Sequence, residues 1–270
     1  MLKRMIALVL ALMLCAALGT VAAASGEASD SEPITVTEIE DMVSAASSAS
    51  ALHLVYRQIA NAYNAGTILD ENGQELPADP AKAAEYFLLA GATGDGYDYV
   101  EAGQLYEQGL VTGEPDYAAA MDCYILAAGA SNSSCKGVRN IGQWYDNGND
   151  FVERDPRIAA AWYVWAIMLD DASSCYYLGN LYQQGDITWD GKPDYAAAAK
   201  YYQMAADKNN DSATGVAKAL YWLGYLYENG LGVDMDTDMA RALYERAAAA
   251  GEVKLEELYN RAVTAVERLG

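Results

Sequence analysis

Apolar residues recur with a helical period along most of the chain and divide it into a series of amphipathic segments. The first segment spans residues 37–54, where one face is apolar and the first turn is acidic, and it predicts an N-terminal capping helix. The last segment spans residues 252–270 and again has its apolar positions on one face, which predicts a C-terminal capping helix. Between these two segments the pattern repeats.

The repeating region contains five short segments that resemble one another and end in glycine. These segments occupy residues 59–66, 102–109, 141–148, 178–185 and 223–230. Each is followed by an aspartate, by an alanine four positions later, and then by two bulky residues and mostly small ones. The five aspartates are Asp79, Asp116, Asp155, Asp194 and Asp236. Self-similarity of this kind predicts an array of stacked supersecondary units.

The glycines and aspartates mark helix boundaries. Glycine adopts positive φ without strain and therefore suits the end of a helix, whereas aspartate caps the start of the next one. Pro80 and Pro156 directly follow two of the aspartates, at the first helical position, where proline is tolerated. We therefore predict five helical hairpins, each with a first helix that ends at the glycine and a second helix that starts after the aspartate. The hairpins must stack, because a single hairpin cannot bury its apolar face.

Residues 223–251 resemble a nearly ideal repeat of the Sel-1-like repeat family, which is related to the tetratricopeptide repeats. The matching residues are Ala219, Leu223, Gly224, Tyr227, Gly230, Gly232, Val233, Asp236, Ala240, Tyr244, Ala247, Ala248 and Gly251. The resemblance covers residues 55–251, in repeats at about 55–97, 98–136, 137–173, 174–218 and 219–251. It implies an all-α fold, a right-handed α-α superhelix (solenoid) of about five helical hairpins with terminal capping helices. It also implies a scaffold or adaptor function without catalytic residues.

The first 24 residues have the pattern of a secretory signal peptide. Lys3 and Arg4 precede an apolar run that ends at Leu18, and small residues form a cleavage site after Ala24. The run is short for a membrane span, and retention as a signal anchor is the alternative. Residues 25–36 are rich in small and acidic residues and are predicted to form a disordered spacer. We therefore expect the mature protein to be secreted or associated with the cell surface.

The charge balance restricts the possible partners. The 270 residues include 38 Asp and Glu against 17 Lys and Arg, which gives a formal net charge of −21 at pH 7. This charge would repel a phosphate backbone, so it argues against nucleic acid and favours basic or neutral partners. The single histidine, His53, excludes mechanisms that need a histidine pair or a cluster of histidine metal ligands.

Further motifs do not predict an enzyme, a cofactor or a metal site. Residues 234–238 with Glu245 imitate a calcium loop, but Met239 stands where that loop needs glycine. Cysteine-rich exported members of the Sel-1-like repeat family carry a disulfide in each repeat and bind penicillin-type compounds. This chain lacks those cysteine pairs. The spacing of the cysteines along the sequence does not decide whether Cys135 and Cys175 form a disulfide. We predict no catalytic residues, no cofactor and no metal.

Candidate binding residues lie on one face of each first helix. Residues four apart share a helix face, and stacking would align them into a stripe of amides, tyrosines and arginines that lines the concave surface, by analogy with related solenoids. This stripe consists of Arg57, Asn61, Gln104, Gln108, Arg139, Gln143, Asn147, Tyr176, Asn180, Gln184, Tyr221, Tyr225 and Asn229. Its amides suit the backbone of an extended peptide, and its tyrosines and arginines supply anchoring contacts. The alternative is that Asn147 and Asn229 only serve the helix ends, and that the other residues are solvated polar positions.

Two loops, residues 67–78 and 186–193, are longer than the repeat requires. Trp189 in the second loop either anchors a partner or folds back onto the solenoid. The preferred interpretation is an exported bacterial scaffold that binds a protein or peptide through its stripe. One alternative is a cell-wall or carbohydrate-binding module that uses surface tyrosine and tryptophan. Another is a β-lactamase-like hydrolase, as in the cysteine-rich relatives.

Overall fold

The computed structural model describes residues 33–130, 134–208, 214–251 and 256–269, and the chain divides into two compact units, Met1–Gly137 and Val138–Gly270. The described ranges contain twelve helices and a pair of two-residue strands. The predicted signal peptide, residues 1–24, lies outside them. Within the described ranges, no helix is both long enough and apolar enough to cross a bilayer.

The first unit begins with a strand and a short helix and continues with paired helices. Its elements are β1 (Ile34–Thr35), α1 (Glu38–Ala45), α2 (Ala49–Ala65), β2 (Ile68–Leu69), α3 (Pro80–Thr93), α4 (Gly96–Glu107), α5 (Tyr117–Gly129) and the start of α6 (Cys135–Asn147). Helix α2 packs against α3, α3 against α4, and α4 against α5. Helices α2 and α4 are the first helices of their hairpins, and α3 and α5 are the second helices.

The second unit contains helices only among its described residues. Its elements are the remainder of α6, α7 (Pro156–Met168), α8 (Ala172–Gln184), α9 (Tyr195–Ala206), α10 (Thr214–Asn229), α11 (Thr237–Gly251) and α12 (Glu256–Leu269). The first helices α8 and α10 contact each other as well as the second helix α9 between them. Helix α12 packs against α11 at the position predicted for the C-terminal capping helix.

The predicted boundaries of the hairpin helices are confirmed. The five closing glycines, Gly66, Gly109, Gly148, Gly185 and Gly230, have φ between +63° and +80°. At Gly185 two features disfavour a side chain. The φ of +80° is strained for any residue with a Cβ, and an added Cβ would lie 2.6 Å from the carbonyl oxygen of Gly191. The five aspartates cap the second helices, because their side-chain oxygens accept hydrogen bonds from backbone N–H groups two or three residues ahead.

Glycine and tyrosine set the spacing of the helices within a hairpin. In four hairpins the ring of a buried tyrosine from the second helix lies directly against a glycine of the first helix. These pairs are Gly103 with Tyr124, Gly142 with Tyr163, Gly179 with Tyr202 and Gly224 with Tyr244. A Cβ on any of these glycines would come within 2.5–3.0 Å of the ring, so the two backbones are as close as the ring allows. The first hairpin has Ala60 and Phe87 at the matching positions, both buried.

The N-terminal region differs from the prediction in two respects. The segment 37–54 is not one helix, because α1 ends at Ala45 and α2 starts at Ala49 with the Ser48 hydroxyl accepting a hydrogen bond from the backbone N–H of Ala51 at 3.1 Å. In addition, the end of the predicted spacer is ordered. Strand β1 pairs in parallel with β2, and Ile34 is buried. The long loop 67–78 therefore supplies the partner strand for the chain segment that precedes the first hairpin.

Candidate protein-binding face

In four of the five hairpins, a hydrogen bond from a buried tyrosine joins the first helix to the second helix. The four hydroxyl groups donate to side chains located two residues before the closing glycine. The pairs are Tyr124 with Glu107, Tyr163 with Asp146 at 3.1 Å, Tyr202 with Gln183 at 3.0 Å and Tyr244 with Glu228 at 2.8 Å. The first hairpin has Phe87 and the exposed Asn64 at these positions and lacks the bond. The sequence analysis missed this contact, although four repeats combine an acid or amide two residues before the glycine with a tyrosine eight residues after the capping aspartate.

In the first unit, the predicted anchor Arg57 is engaged in a network of charged side chains. Its guanidinium donates from Nε to Asp98 at 2.7 Å and from Nη2 to Asp95 at 3.2 Å. Asp98 is only 1% exposed, and the Nδ1 atom of His53 lies 3.4 Å from its carboxylate. Burial raises the pKa of Asp98, while the hydrogen bonds from Arg57 oppose that shift. Arg57 therefore joins α2 to the start of α4, the next first helix.

In the second unit, Arg139 has the same role. Its Nη1 atom lies 2.5 Å from the carboxylate of Asp171, which is buried and caps α8 by accepting a hydrogen bond from the backbone N–H of Ser174 at 2.9 Å. A guanidinium that is paired with a buried carboxylate is costly to separate from it. Both predicted arginines thus position consecutive first helices relative to each other.

Seven of the eight stripe amides fall into two groups, and the eighth, Gln143, is hydrogen-bonded to Tyr177. Asn147 and Asn229 donate to carbonyl groups of their own helices, those of Gln143 at 3.0 Å and Tyr225 at 2.8 Å. Other stripe amides make no side-chain hydrogen bond within the described part of the chain. These are Asn61, Gln104, Gln108, Asn180 and Gln184, of which Gln104 and Asn180 are half-buried and the others exposed. The second group has donors and acceptors available for a ligand.

Aromatic rings surround the amides in the second unit. Tyr176 contacts the ring of Tyr177 with the centroids 5.1 Å apart, and Lys218 lies 5.6 Å from the centroid of Tyr176. Trp222 contacts Tyr221 and Tyr225, with centroid separations of 5.6 Å in both cases. Burial raises the pKa of Tyr176 to about 12, so its hydroxyl stays protonated at neutral pH.

The sequence analysis missed three members of this cluster, Tyr177, Trp222 and Lys218. The doublets Tyr176–Tyr177 and Tyr221–Trp222 are the only local signal for the first two. The resulting surface has half-buried rings next to unpaired amides, which suits hydrogen bonding to a main chain and packing against side chains.

Comparison with known proteins identifies the repeats. Five segments match the Sel1 repeat, at residues 62–95, 99–132, 136–171, 172–210 and 217–252. The chain belongs to the Sel1 repeat family. Its fold is accordingly an all-α solenoid of Sel1 repeats, and proteins of this family are generally protein-interaction scaffolds without catalytic activity.

The curated relatives match only parts of their own length. The chain is 46% identical to the rat protein sel-1 homolog 2 over 57 residues, which is 21% of this chain and 8% of that protein. It is 31% identical to the chitin synthase regulator SKT5 of Saccharomyces cerevisiae over 149 residues, 55% of this chain and 20% of that protein. The chain thus spans a fifth or less of these relatives.

A solved structure covers more of the chain. The Sel1 repeat protein from Oxalobacter formigenes aligns with 87% of this chain and with 100% of its own, at 20% identity and a TM-score of 0.57. At this identity the likeness establishes the fold alone.

The thiols of Cys123 and Cys175 are poorly suited to act as nucleophiles. Cys123 and Cys175 are free and buried in α5 and α8, and burial raises their pKa values to about 12 and about 11. A thiol with so high a pKa is a poor nucleophile at neutral pH. Among the described residues, no group of three His, Cys, Asp or Glu side chains is placed to hold a metal ion. Asp236, in the segment that imitates a calcium loop, instead caps α11 by accepting a hydrogen bond from the backbone N–H of Met239 at 2.9 Å.

Trp189 does not fold back onto the Sel1 repeats. It lies between α8 and α9 and is 94% exposed. It therefore belongs to a surface separate from the stripe.

Proposed function

We propose that this Sel1 repeat protein is an exported bacterial scaffold that binds an extended protein segment along the stripe of its first helices. The observation that carries the proposal is the position of Asn180 and Gln184 on α8. Neither amide is engaged within the described chain, and both follow the half-buried Tyr176 and Tyr177 on the same helix. Amides can bond the main chain of a peptide, while adjacent rings bind its side chains.

The arginines contribute by positioning. Arg57 in the first unit and Arg139 in the second are each paired with an aspartate of the following first helix, so the spacing of these helices within each unit is preset before a ligand binds. A preset surface loses less conformational entropy on binding. The net charge of −21 favours basic or neutral segments as partners.

Binding can be tested with a peptide selected from a random library against residues 25–270. Isothermal titration would then compare the parent with Asn180→Ala/Gln184→Ala, and with a matched double variant, Lys200→Ala/Gln203→Ala, on the second helix α9. Loss of two hydrogen-bonding amides is expected to weaken binding by about tenfold or more. The control removes two exposed side chains of the second helix and should bind like the parent. Equal effects of the two double variants would contradict the proposed face.

Export has its own test. The support for it is the charged start, the apolar run and the small residues before Ser25. Expression of the full chain in a bacterial host should yield protein outside the cytoplasm that begins at Ser25, as determined by N-terminal sequencing. Recovery of a chain that retains Met1 in the membrane fraction would favour the signal anchor.

A further inference from the structure

The loop between α8 and α9 presents a tryptophan on a stiff support. The Thr188 hydroxyl lies 2.9 Å from the carbonyl oxygen of Gly185 and 2.8 Å from that of Lys192, so its single hydrogen is shared between the two ends of the loop. The carboxylate of Asp186 lies 2.5 Å from the guanidinium of Arg154 in the preceding hairpin. These contacts hold both ends of the loop, yet Trp189 in its centre is 94% exposed. The indole therefore presents apolar surface that a partner can bury.

The tryptophan borders a groove of about 580 Å³. Two further aromatic residues, Tyr182 of α8 and Tyr195 of α9, line the same groove together with Asp190 and Asp194. The two carboxylates also accept hydrogen bonds from the backbone N–H groups of Lys192 at 3.2 Å and Ala197 at 2.9 Å. Its lysine, Lys192, lies with Nζ 3.7 Å from the Asp190 carboxylate, which offsets its charge. The groove thus combines aromatic faces with a net negative charge, in a chain whose own net charge is −21.

Aromatic faces and carboxylates together select for organic cations. The face of an indole attracts a guanidinium or ammonium group, and a nearby carboxylate adds a salt bridge. A sugar could also stack on the indole and donate hydrogen bonds to the carboxylates, but only a cation gains in addition from the net negative charge. We propose that this groove binds an arginine or lysine side chain of a basic protein partner, with the indole face of Trp189 against the cationic group.

This groove is distinct from the stripe of the proposed function. Tyr182 is two residues from both Asn180 and Gln184 on α8, and residues two apart do not share a helix face. The next loop borders the groove at Gly232, whose Cα packs so closely on the start of α9 that an added Cβ would lie 2.3 Å from the carbonyl carbon of Tyr195. The groove therefore opens on the loop side of the repeats, and its occupancy does not depend on the stripe.

The test uses residues 25–270 and a fluorescein-labelled nonapeptide of alternating glycine and arginine, with a glycine and glutamine peptide for comparison. Fluorescence anisotropy measures the affinity of the parent and of Trp189→Ala. We expect this variant to bind the arginine peptide roughly five- to thirtyfold more weakly. Phe151→Ala, which truncates an aromatic residue that is 46% exposed in the loop before α7, is the matched control and should bind like the parent.

A second pair of variants separates the groove from general attraction by the acidic surface. Asp194→Asn removes a carboxylate of the groove but keeps a good helix cap, and Asp155→Asn makes the same change in the preceding hairpin. Only Asp194→Asn should weaken binding, by roughly two- to fivefold. Circular dichroism checks that all variants keep their helices.

Several results would overturn the proposal. One is the absence of detectable binding by the parent, and another is equal affinity of the parent and Trp189→Ala. Equal weakening by the two asparagine variants would assign the binding to overall charge. Binding of chitohexaose that depends on Trp189, without a preference for the arginine peptide over the glutamine peptide, would assign the groove to carbohydrate.

Discussion

Replacement of Gly179 by alanine tests whether the ring of Tyr202 sets the distance between α8 and α9. An added Cβ would lie 2.7 Å from Cε1 and 2.8 Å from Cδ1 of that ring, and 3.2 Å from the carbonyl oxygen of Ala198. The ring cannot easily move away, because Tyr202 is fully buried and its hydroxyl is bonded to Gln183 at 3.0 Å. The methyl group must therefore force the two helices apart.

The expected effect is the difference between two opposing free energies. Overpacking of a buried contact costs about 1–3 kcal/mol. Alanine in the interior of a helix gains roughly 0.5–1 kcal/mol over glycine. The midpoints of these ranges differ by about 1.2 kcal/mol, so Gly179→Ala should lower the free energy of unfolding by about that amount, as measured by urea denaturation followed by circular dichroism.

Two further variants make the experiment decisive. Gly129→Ala changes a glycine at the end of α5 where an added Cβ meets no atom within 4 Å, so it should not destabilise the protein. In the double variant Gly179→Ala/Tyr202→Phe the ring loses its tether to Gln183, and the combined cost should fall short of the sum of the single costs by about 0.5 kcal/mol or more. A Gly179→Ala protein as stable as the parent would refute the argument that the ring limits the helix spacing.

Two other predictions concern the hydrogen bonds of the buried tyrosines. Burial raises the pKa of Asp146, and the neighbouring Asp186 adds to this while Tyr163 and Arg154 oppose it, so the parent loses stability as pH rises from below the unfolded pKa through the folded pKa. Asp146→Asn should therefore have a higher Tm than the parent at pH 7 and a similar Tm at pH 3, and an equal difference at both pH values would contradict the assignment. Tyr244→Phe removes a bond to a carboxylate and should cost about 1.5–3 kcal/mol in urea denaturation, whereas Tyr202→Phe removes a bond to an amide and should cost about 0.5–1.5 kcal/mol. Equal losses would show that the charge of the acceptor is unimportant.

The helix boundaries of the repeats could be predicted because their causes are local. A glycine with positive φ and an aspartate that caps the next helix act within a few residues of their own position. The break between α1 and α2 was missed because apolar spacing continues across it, although Ser48 is a residue type that caps helices. The pairing of β1 with β2 depends on a partner more than thirty residues away, and two residues carry too little pattern to reveal it.

Which residues share a face of each first helix was predictable, but the contacts that their side chains make were not. The stripe is defined by helical spacing, which the sequence contains. The partners of Arg57 and Arg139 are aspartates 32–41 residues further along the chain, so the sequence pattern did not distinguish an arginine that binds a ligand from one that joins two hairpins. Tyr177 and Trp222 were missed because they lie beside the selected positions rather than on the four-residue spacing.

The two kinds of polar contact act on different parameters of a linear array. A bond such as that between Tyr163 and Asp146 stays inside one hairpin and adds to the intrinsic stability of that repeat. The ion pair of Arg139 with Asp171 joins consecutive repeats and adds to the coupling between neighbours. In a nearest-neighbour description, intrinsic stability and coupling together determine whether the array unfolds all at once or frays from its ends. Substitutions at Tyr163 and Arg139 therefore offer independent control over how stable the array is and how cooperatively it unfolds.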